Sequence, residues 1–362
     1  MRAIPCVLMR GGTSKGPVFL GRDLPSDPAQ RDELLLTLMG SGNELEVDGI
    51  GGGYPQTSKV AIVTPSAEPG VDVDYLFVQV MVEQRRVDTS PNCGNMLSAV
   101  GPFAIEQGLV AATGDVTRLT IRNLNTGSLI DAEICTPGGQ VTYVGDTRID
   151  GVPGSAAPVL LEFRNVVGAK TGKLYPTGKP VETIDGLEVS CIDAAMPMVL
   201  IRAADLGKRG DETPQALDGD HELLARLESI RLKAGAAMGL GDVRERVIPK
   251  PVLISAPTAG GTLCVRYFMP QRCHRALAIT GAVGLAVACA DGRGLVGDLA
   301  GAPDADGLLE FEHPSGRLGV ISRWPTGQAW PSCSLIRTAR RLFSGSVYVP
   351  ERVSSEADEA VG

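Results

Sequence analysis

The hydrophobic pattern of the chain is clearest in residues 88–106, where a polar, turn-forming stretch is followed by a run with a regular apolar face. The apolar residues of that run recur at three- and four-residue spacing: Met96, Leu97, Val100, Phe103 and Ala104. This spacing predicts a helix with Ser90 or Asn92 as its N-cap. Cys93 then lies at the start of the helix, among backbone N–H groups that have no partner inside it.

Similar patterns predict the other elements. Helices are expected over residues 28–40, 214–238 and about 280–290. Strands are expected over residues 3–9, 17–20, 75–82, 117–122, 187–193, 251–255 and 262–268, with a hairpin over 128–135 and 141–144.

The segment around Thr280 repeats the order of elements found around Cys93. Each has a strand, a polar loop and then a helix rich in small residues, and Thr280 lies about where Cys93 lies in the first copy. The repetition predicts an internal duplication with a ligand cleft between the two halves.

Prolines and glycines interrupt the regular patterns between residues 153 and 180, and we place the domain boundary after them. The first lobe is predicted to comprise residues 1–182 together with about 337–352, and the second lobe residues 183–336. The small, acidic end of the chain, residues 353–362, is predicted to be disordered.

Composition and charge narrow the class of protein. The 362 residues carry a net charge of −8, which argues against non-specific binding to nucleic acid. No apolar run reaches the length of a membrane span, and the N-terminus lacks a secretory pattern. The eight cysteines include no C-x-x-C pair and the three histidines lie far apart. We therefore expect a cytoplasmic protein with reduced thiols, no metal site, and no membrane or nucleic-acid partner.

The glycine-rich loop Arg10-Gly-Gly-Thr-Ser-Lys-Gly16 carries two cations and two hydroxyl groups. It lacks the Gly-Lys-Ser/Thr order of a phosphate-binding Walker loop, and no helix pattern follows it directly. Two cations around a run of backbone N–H groups can form a cradle for a carboxylate. The alternative is that Arg10 and Lys15 are ordinary solvated loop charges.

Lys59 and Cys93 are the candidate reactive side chains. Lys59 follows the glycine-rich turn 49–53 at the start of a strand, but these glycines do not match the dinucleotide-binding fingerprint. Its alternative role is that of an edge-strand lysine that prevents aggregation. Cys93 lies at a helix end that favours a thiolate and binds anions, and its alternative role is that of a small buried hydrophobic residue.

Several blocks in order along the chain resemble one enzyme family. They are Arg10-Gly-Gly-Thr-Ser-Lys-Gly16, Ser90-Pro-Asn-Cys-Gly-Asn95, Ile149-Asp-Gly-Val-Pro-Gly154, His274 ahead of Thr280-Gly-Ala282, His313-Pro-Ser-Gly316 and Thr338-Ala-Arg-Arg-Leu-Phe-Ser-Gly345. The family comprises cofactor-independent isomerases of unsaturated polycarboxylates, such as methylitaconate isomerase, and the resemblance runs from about residue 3 to 350. It implies an α+β fold like that of diaminopimelate epimerase, with two pseudo-symmetric lobes, each a curled, mostly antiparallel sheet around a central helix.

The resemblance also implies the site residues. Lys59 and Cys93 would form the acid/base pair, without a cofactor, and which of them abstracts the proton stays open. Racemases of this fold use a thiol from each lobe, but no cysteine lies between His274 and Val287, so we expect an isomerase rather than a racemase. The implied substrate-binding residues are Arg10, Thr13, Ser14, Lys15, Gly94, Asn95, His274, Thr280, Gly281, Ala282, His313, Ser315 and Gly316. For the two histidines a structural role is the alternative.

Within the family, the block around Cys93 is most similar to the tautomerases of gallate breakdown. The resemblance therefore implies interconversion of the keto and enol forms of 4-oxalomesaconate, a small tricarboxylate. Two alternatives stay open: an allylic isomerase of an aconitate-type acid such as 2-methylaconitate, and a non-catalytic polycarboxylate-binding or accessory protein. The sequence also leaves open whether the protein is a homodimer.

Overall fold

A computed structural model describes residues 1–89, 93–324 and 329–350 of the chain. The α-helices in these residues are α1 Pro28–Met39, α2 Gly94–Glu106, α3 Pro214–Asp218, α4 His221–Ala237 and α5 Ile279–Asp291. The strands are β1 Arg2–Gly11, β2 Ser14–Leu20, β3 Lys59–Pro65, β4 Val73–Val80, β5 Val87–Asp88, β6 Val116–Asn123, β7 Leu129–Cys135, β8 Pro158–Phe163, β9 Glu182–Ile184, β10 Leu187–Ala194, β11 Met196–Arg202, β12 Lys250–Ser255, β13 Leu263–Tyr267, β14 Leu308–His313, β15 Gly316–Arg323 and β16 Ser332–Val349.

The chain forms two compact units. Unit 1 comprises Met1–Gly127, Ile134–Tyr143 and the chain from Ala339 onward, and unit 2 comprises Ser128–Glu133 and Val144–Thr338. In this division residues 144–182 belong to unit 2, whereas the sequence placed them in the first lobe. One reason is that β8 pairs with the first part of β16, which also belongs to unit 2. The predicted tail, residues 353–362, lies outside the described residues.

Unit 1 is a mixed sheet with a helix on each face. β1 pairs antiparallel with β2, β2 parallel with β3, β3 antiparallel with β4, and β4 parallel with β6. The apolar side of α1 packs against Val60 and Ile62 of β3. Because side chains alternate along a strand, Lys59 and Ala61 face the opposite side, where α2 packs.

Unit 2 has the same design. Its sheet pairs β10 antiparallel with β11, β11 parallel with β12, β12 antiparallel with β13, and β13 parallel with β14. Leu227 and Ile230 of α4 pack with Leu253 of β12 on one face. On the other face, Gly284 of α5 lies against Met198, so this helix comes close to the sheet because Gly284 has no Cβ.

The order of pairings is therefore repeated in the two units. In each, a central helix of 13 residues lies in the connection to the last strand of this series: β4–α2–β6 in unit 1 and β13–α5–β14 in unit 2. This repeat supports the internal duplication that we inferred from the sequence.

The local signals of the sequence explain several element ends. Asp27 caps α1 by accepting a hydrogen bond from the backbone N–H of Gln30 at 2.9 Å, and Gly40 ends the helix in the left-handed conformation. The helix predicted over 28–40 is thus confirmed. The single helix predicted over 214–238 is wrong, because the side chain of Asp220 caps a second helix, α4, through the N–H of Leu223.

Other predictions failed where long-range pairing decides the structure. Residues 141–144 form no strand, so the predicted hairpin partner of β7 is absent there. The pattern gave no prediction for β8 or β16, whose partners are far away in sequence. Their pairing depends on the tertiary fold rather than on local alternation.

Candidate active site

The predicted loop 10–16 is mostly β-hairpin. β1 extends to Gly11 and β2 starts at Ser14, so only Gly12 and Thr13 form the turn. The side chain of Arg10 donates a hydrogen bond from Nη1 to the carbonyl oxygen of Gly12 at 2.9 Å. Burial, and next the charge of Arg340, lower the pKa of Arg10. The hairpin therefore carries a partly desolvated cation next to its turn.

Lys59 is the first residue of β3 and is half-buried. Its Nζ donates a hydrogen bond of 2.5 Å to Oε1 of Gln79, the residue opposite it on β4. The same Nζ lies 5.1 Å from the centre of the Phe77 ring. An amide oxygen and an aromatic face both attract an ammonium group, so these contacts fix where the amine points.

Gln79 is a functional candidate that the sequence analysis missed. Its Nε2 donates to the backbone carbonyls of Pro55, Ser58 and Val80 at 3.0 to 3.2 Å. These bonds fix the orientation of the amide, and its oxygen consequently points at Lys59. The signal for Gln79 is its position directly opposite Lys59 on the neighbouring strand. This position can be recognised only when the β3–β4 register is known.

Cys93 is itself the N-cap of α2, and no side-chain hydrogen bond caps this helix. Ser90 and Asn92, which we predicted as caps, lie outside the described residues. The Cys93 carbonyl accepts the N–H of Leu97 at 3.1 Å and the hydroxyl of the buried Tyr75 at 3.3 Å. Burial raises the pKa of Tyr75 well above its usual value, and the nearby Cys93 adds to this shift, so Tyr75 remains a neutral donor.

The β1–β2 hairpin touches both candidate reactive positions. A Cβ on Gly16 would lie 1.7 Å from the carbonyl oxygen of Lys59, and a Cβ on Gly11 would lie 2.5 Å from the carbonyl oxygen of Asn95. The Asn95 side chain also donates a hydrogen bond from Nδ2 to Oγ1 of Thr13 at 3.0 Å. The start of β3 and the start of α2 therefore meet the same hairpin, and glycine is required at these contacts.

A groove of about 740 Å³ lies elsewhere in unit 1. It is lined by residues of the 44–55 loop and by residues 79–84, and Gln79 is on its wall. Neither Lys59 nor Cys93 lines it, so it is not the cavity in which we would expect proton transfer.

In unit 2, the start of α5 is also without a side-chain cap. The N–H of Ala282 bonds to the carbonyl oxygen of Ala278 at 2.9 Å, so this amide is engaged in the helix. Thr280 and Gly281 precede it in the first turn, where backbone N–H groups have no helical acceptor. Gly281 lies against the ring of Tyr267, where a Cβ would come within 2.6 Å of a ring carbon.

His274 and His313 make the same local contact. In each, Nδ1 accepts the backbone N–H two residues later, from Ala276 at 2.9 Å and from Ser315 at 3.2 Å. Burial is the main cause that lowers the pKa of both rings, and the pKa of His313 falls to about 4. Both imidazoles are therefore neutral at pH 7 and carry their proton on Nε2, which is a donor.

Ser315 and Gly316 have structural contacts of their own. The Ser315 hydroxyl donates to the carbonyl oxygen of Arg275, which joins the loop after His313 to the loop after His274. Gly316 has a positive φ of 129° and lies against the Asp150 carboxylate, which also accepts the N–H of Arg317 at 2.6 Å. The structure thus brings together the four unit 2 positions His274, His313, Ser315 and Gly316.

Among the described residues of unit 2, four cations are buried, Arg231, Lys250, Arg266 and Arg337, and none was predicted from the sequence. Lys250 is 4% exposed and Arg337 is 7% exposed. Lys250 is the first residue of the largely apolar strand β12, and a charged residue there was an available signal. Arg337 lies in β16, a long strand with other polar and charged residues, so its burial had no signal of this kind.

Two features are absent from the part of the chain that the structure describes. None of its helices is long and apolar enough to cross a membrane. No group of three or more histidine, cysteine, aspartate or glutamate side chains there is placed to hold a metal ion.

Comparison with known proteins identifies the family. The model of the PrpF protein family matches residues 1–350. The chain belongs to the PrpF family. It is 57% identical over 351 residues to a putative isomerase, YbhH, of Escherichia coli K12, which covers 97% of this chain and 100% of the relative. It is 49% identical over 347 residues to the 4-oxalomesaconate tautomerase of Pseudomonas putida, with 96% of each chain covered.

Solved structures confirm the fold. A methylitaconate-delta-isomerase is 36% identical to this PrpF-family chain, with a TM-score of 0.86 over 96% of each chain. A hydroxyproline epimerase from Agrobacterium vitis shares the fold at 12% identity, with a TM-score of 0.51 over 96% of this chain and 92% of that one. The family and the α+β, diaminopimelate-epimerase-like fold that we expected from the sequence motifs are therefore confirmed.

Proposed function

We propose that the protein is a cofactor-independent tautomerase that interconverts the keto and enol forms of 4-oxalomesaconate. The observation that carries this proposal is the arrangement in unit 1, where Lys59 and the Cys93 end of α2 meet the same β1–β2 hairpin. The similarity to a named 4-oxalomesaconate tautomerase over almost the whole chain supports the choice of substrate.

The reaction moves one proton. A base removes a proton from the carbon between the ketone and the alkene, and the electron pair of the broken C–H bond forms a conjugated enolate. An acid then donates a proton to the former ketone oxygen, which gives the enol. Such a reaction requires one base, one acid and donors that stabilise the developing negative charge.

We assign the base to Cys93 and the acid to Lys59. The contacts of the Lys59 amine with Gln79 and Phe77 suit an ammonium group, which supports Lys59 as the proton donor. Cys93 is 9% exposed and caps a helix whose first N–H groups favour an anion, as a thiolate base requires.

The other predicted residues bind the carboxylates of the substrate, except Ala282, whose amide is engaged within α5. In unit 1 these are Arg10, Thr13, Ser14 and Lys15 of the hairpin, with the amides of Gly94 and Asn95 at the start of α2. In unit 2 they are Thr280 and Gly281, the loop with Ser315 and Gly316, and the Nε2–H groups of His274 and His313. Neutral N–H donors hold a carboxylate without giving up a proton, which keeps proton transfer at the acid/base pair. We further propose a cytoplasmic protein whose partner is this small tricarboxylate rather than nucleic acid or a membrane.

The test is to mix the purified protein with 4-oxalomesaconate and, separately, with 2-methylaconitate, and to follow ultraviolet absorbance. The conjugated enol absorbs differently from the ketone, so we expect a protein-dependent change with 4-oxalomesaconate. Lys59→Met should abolish it, whereas Lys233→Met, the same change at an exposed lysine of α4, should not. A change with 2-methylaconitate alone would show an allylic isomerase, and no change with either acid would favour a non-catalytic binding protein.

A further inference from the structure

Lys250 is a buried lysine without an acidic partner. Within the described residues, the one hydrogen bond of its ammonium group is a weak contact of 3.8 Å to the sulfur of Met269. No carboxylate of these residues forms an ion pair with it. Besides burial, the charge that acts on it is that of Arg231, another cation, and together they lower the pKa of Lys250 to about 8.

The duplicated topology makes Lys250 the counterpart of Lys59. Each lysine is the first residue of a strand that is parallel to one neighbour and antiparallel to the next: β3 in unit 1 and β12 in unit 2. Two residues further along, each strand faces an aromatic residue on the antiparallel neighbour, Phe77 in unit 1 and Tyr267 in unit 2. Met198, directly opposite Lys250, packs on α5, so Lys250 lies on the face of the sheet that carries the central helix, as Lys59 does.

Arg337 is a second buried cation of the same kind. Its Nη1 donates to the carbonyl oxygen of its own neighbour Ile336 at 2.9 Å, and its Nε is buried without any hydrogen-bond partner. No carboxylate of the described residues forms an ion pair with it, and burial alone lowers the pKa of Arg337 to about 10. A guanidinium group with an unused Nε–H can bind a carboxylate in a bidentate manner, through Nε–H and one Nη–H.

Both cations act on the histidine pair, and the Lys250 ammonium contacts Met269, in the segment between β13 and His274. The charge of Lys250 contributes to the lowered pKa of His274, and the charge of Arg337 contributes to that of His313. His274 also acts on His313, so the four groups form one continuous cluster, in which Asp150 is the acid that opposes the shift at His313. Arg266 also acts on His313, so Asp150 is one carboxylate against the three cations Lys250, Arg266 and Arg337, and the cluster retains an excess of positive charge.

We propose that Lys250 and Arg337 form a carboxylate-binding subsite in unit 2, in which the two cations and the Nε2–H donors of His274 and His313 bind one carboxylate of a polycarboxylate ligand. Buried charges that lack a partner destabilise the folded protein, so their presence is explained if a ligand supplies the missing negative charge. The subsite deepens the proposed tautomerase function and rests on it for the identity of the natural ligand.

The test measures binding of tricarballylate, a saturated tricarboxylate that cannot tautomerise, by isothermal titration calorimetry at pH 7. We compare the unmodified protein with Lys250→Met and Arg337→Met. The control is Lys233→Met, the same substitution at an exposed lysine of α4 that pairs with Asp185. We expect the dissociation constant to rise about tenfold or more in the first two variants and to stay within about twofold in the control.

Melting temperature separates a ligand-binding role from a structural one. If the Lys250 ammonium is paired only when a ligand is bound, Lys250→Met removes an unpaired buried charge from the ligand-free protein. The ligand-free variant should then melt at the same or a higher temperature than the unmodified protein. A lower melting temperature with unchanged affinity would show a structural lysine and would overturn the proposal, as would an unmodified protein that does not bind tricarballylate. Weakened binding in the variants, together with no ultraviolet change on 4-oxalomesaconate by the unmodified protein, would uphold the subsite and reject the tautomerase.

Discussion

The amide of Gln79 connects the backbone of unit 1 to the candidate acid. Its nitrogen is held by three carbonyl oxygens, and its oxygen therefore has one orientation, towards the Lys59 ammonium. Gln79 acts on the reaction through Lys59, so it is a positioning residue.

We predict that Gln79→Leu lowers kcat roughly 10- to 100-fold, because an amine that is no longer held in place spends less time in line with the substrate oxygen. The measurement is the pH dependence of kcat for the unmodified protein and the variant. If Gln79 positions Lys59, the variant should change the part of the kcat–pH profile that reports the protonation of the Lys59 amine. Destabilisation alone would leave the shape of the profile unaltered. Gln215→Leu, at an exposed position on α3, is the matched control.

Lys250 leads to a prediction about stability. Its pKa is about 8 in the folded protein and 10.5 when unperturbed, so between these values the folded state has lost a proton that the unfolded state keeps. Stability therefore increases with pH across this window, by up to about 3 kcal/mol for this group. Besides burial, the charged group that acts on Lys250 is Arg231.

The measurement is urea unfolding at pH 7 and pH 9.5 for the unmodified protein and for Lys250→Met. We expect the free energy of unfolding of the unmodified protein to rise relative to that of the variant as pH increases. Equal changes in the two proteins would show that Lys250 keeps an ordinary pKa in the folded state.

The β1–β2 hairpin is the element on which the unit 1 site depends. The sequence analysis treated residues 10–16 as a loop, but Arg10 and Lys15 are directly opposite each other in the strand pairing. The parallel pairing of β2 with β3 sets Gly16 against the backbone of Lys59, a contact closer than any side chain allows.

We predict that Gly16→Ala lowers the free energy of unfolding by at least about 2 kcal/mol and also reduces kcat, because the new methyl group must displace the backbone of Lys59. Thermal unfolding and turnover are measured on the same preparation. Gly219→Ala is the control, since its Cβ would make only ordinary contacts and its φ of −82° suits alanine. An unchanged Gly16→Ala protein would contradict the close contact between the hairpin and β3.

The elements also show what could be deduced from the sequence. Lys59 and Cys93 were proposed from their residue types and their neighbours in the chain, and the two histidines from the resemblance to the isomerase family. Gln79 was missed because its partner Lys59 lies on another strand. Lys250 and Arg337 were missed because the burial of a charge depends on the neighbouring strands. The register of a sheet is set by tertiary packing, so these contacts could not be read from local alternation.

At the scale of the whole molecule, the duplication provides two related environments with different chemistry. The position of Cys93 before α2 corresponds to Ala278 before α5, so the thiol is present in one copy only. The lysine is present in both copies, at the start of β3 and of β12. A thiol in each copy would suit a racemase, whereas a single thiol suits an isomerase that pairs it with a different acid.

This distribution predicts the fate of the transferred proton. If a thiol removes a proton and an amine donates another, both groups exchange with solvent between turnovers. In D₂O the unmodified protein should therefore introduce deuterium at the carbon between the ketone and the alkene of 4-oxalomesaconate, at a rate comparable to turnover. Proton NMR of the substrate signal measures this rate.

The rate of deuterium exchange without protein is the background of this experiment. The variants Cys93→Ser and Lys59→Met then distinguish the base from the acid. With Cys93 as the base, Cys93→Ser should reduce exchange to the background rate, since the C–H bond is no longer broken by the protein. With Lys59 as the acid, Lys59→Met should slow formation of the enol more than it slows exchange, because the enolate can still recover a deuteron from the thiol. The reverse pattern, with exchange lost in Lys59→Met and retained in Cys93→Ser, would interchange the two assignments, and full exchange in both variants would remove this pair from the reaction.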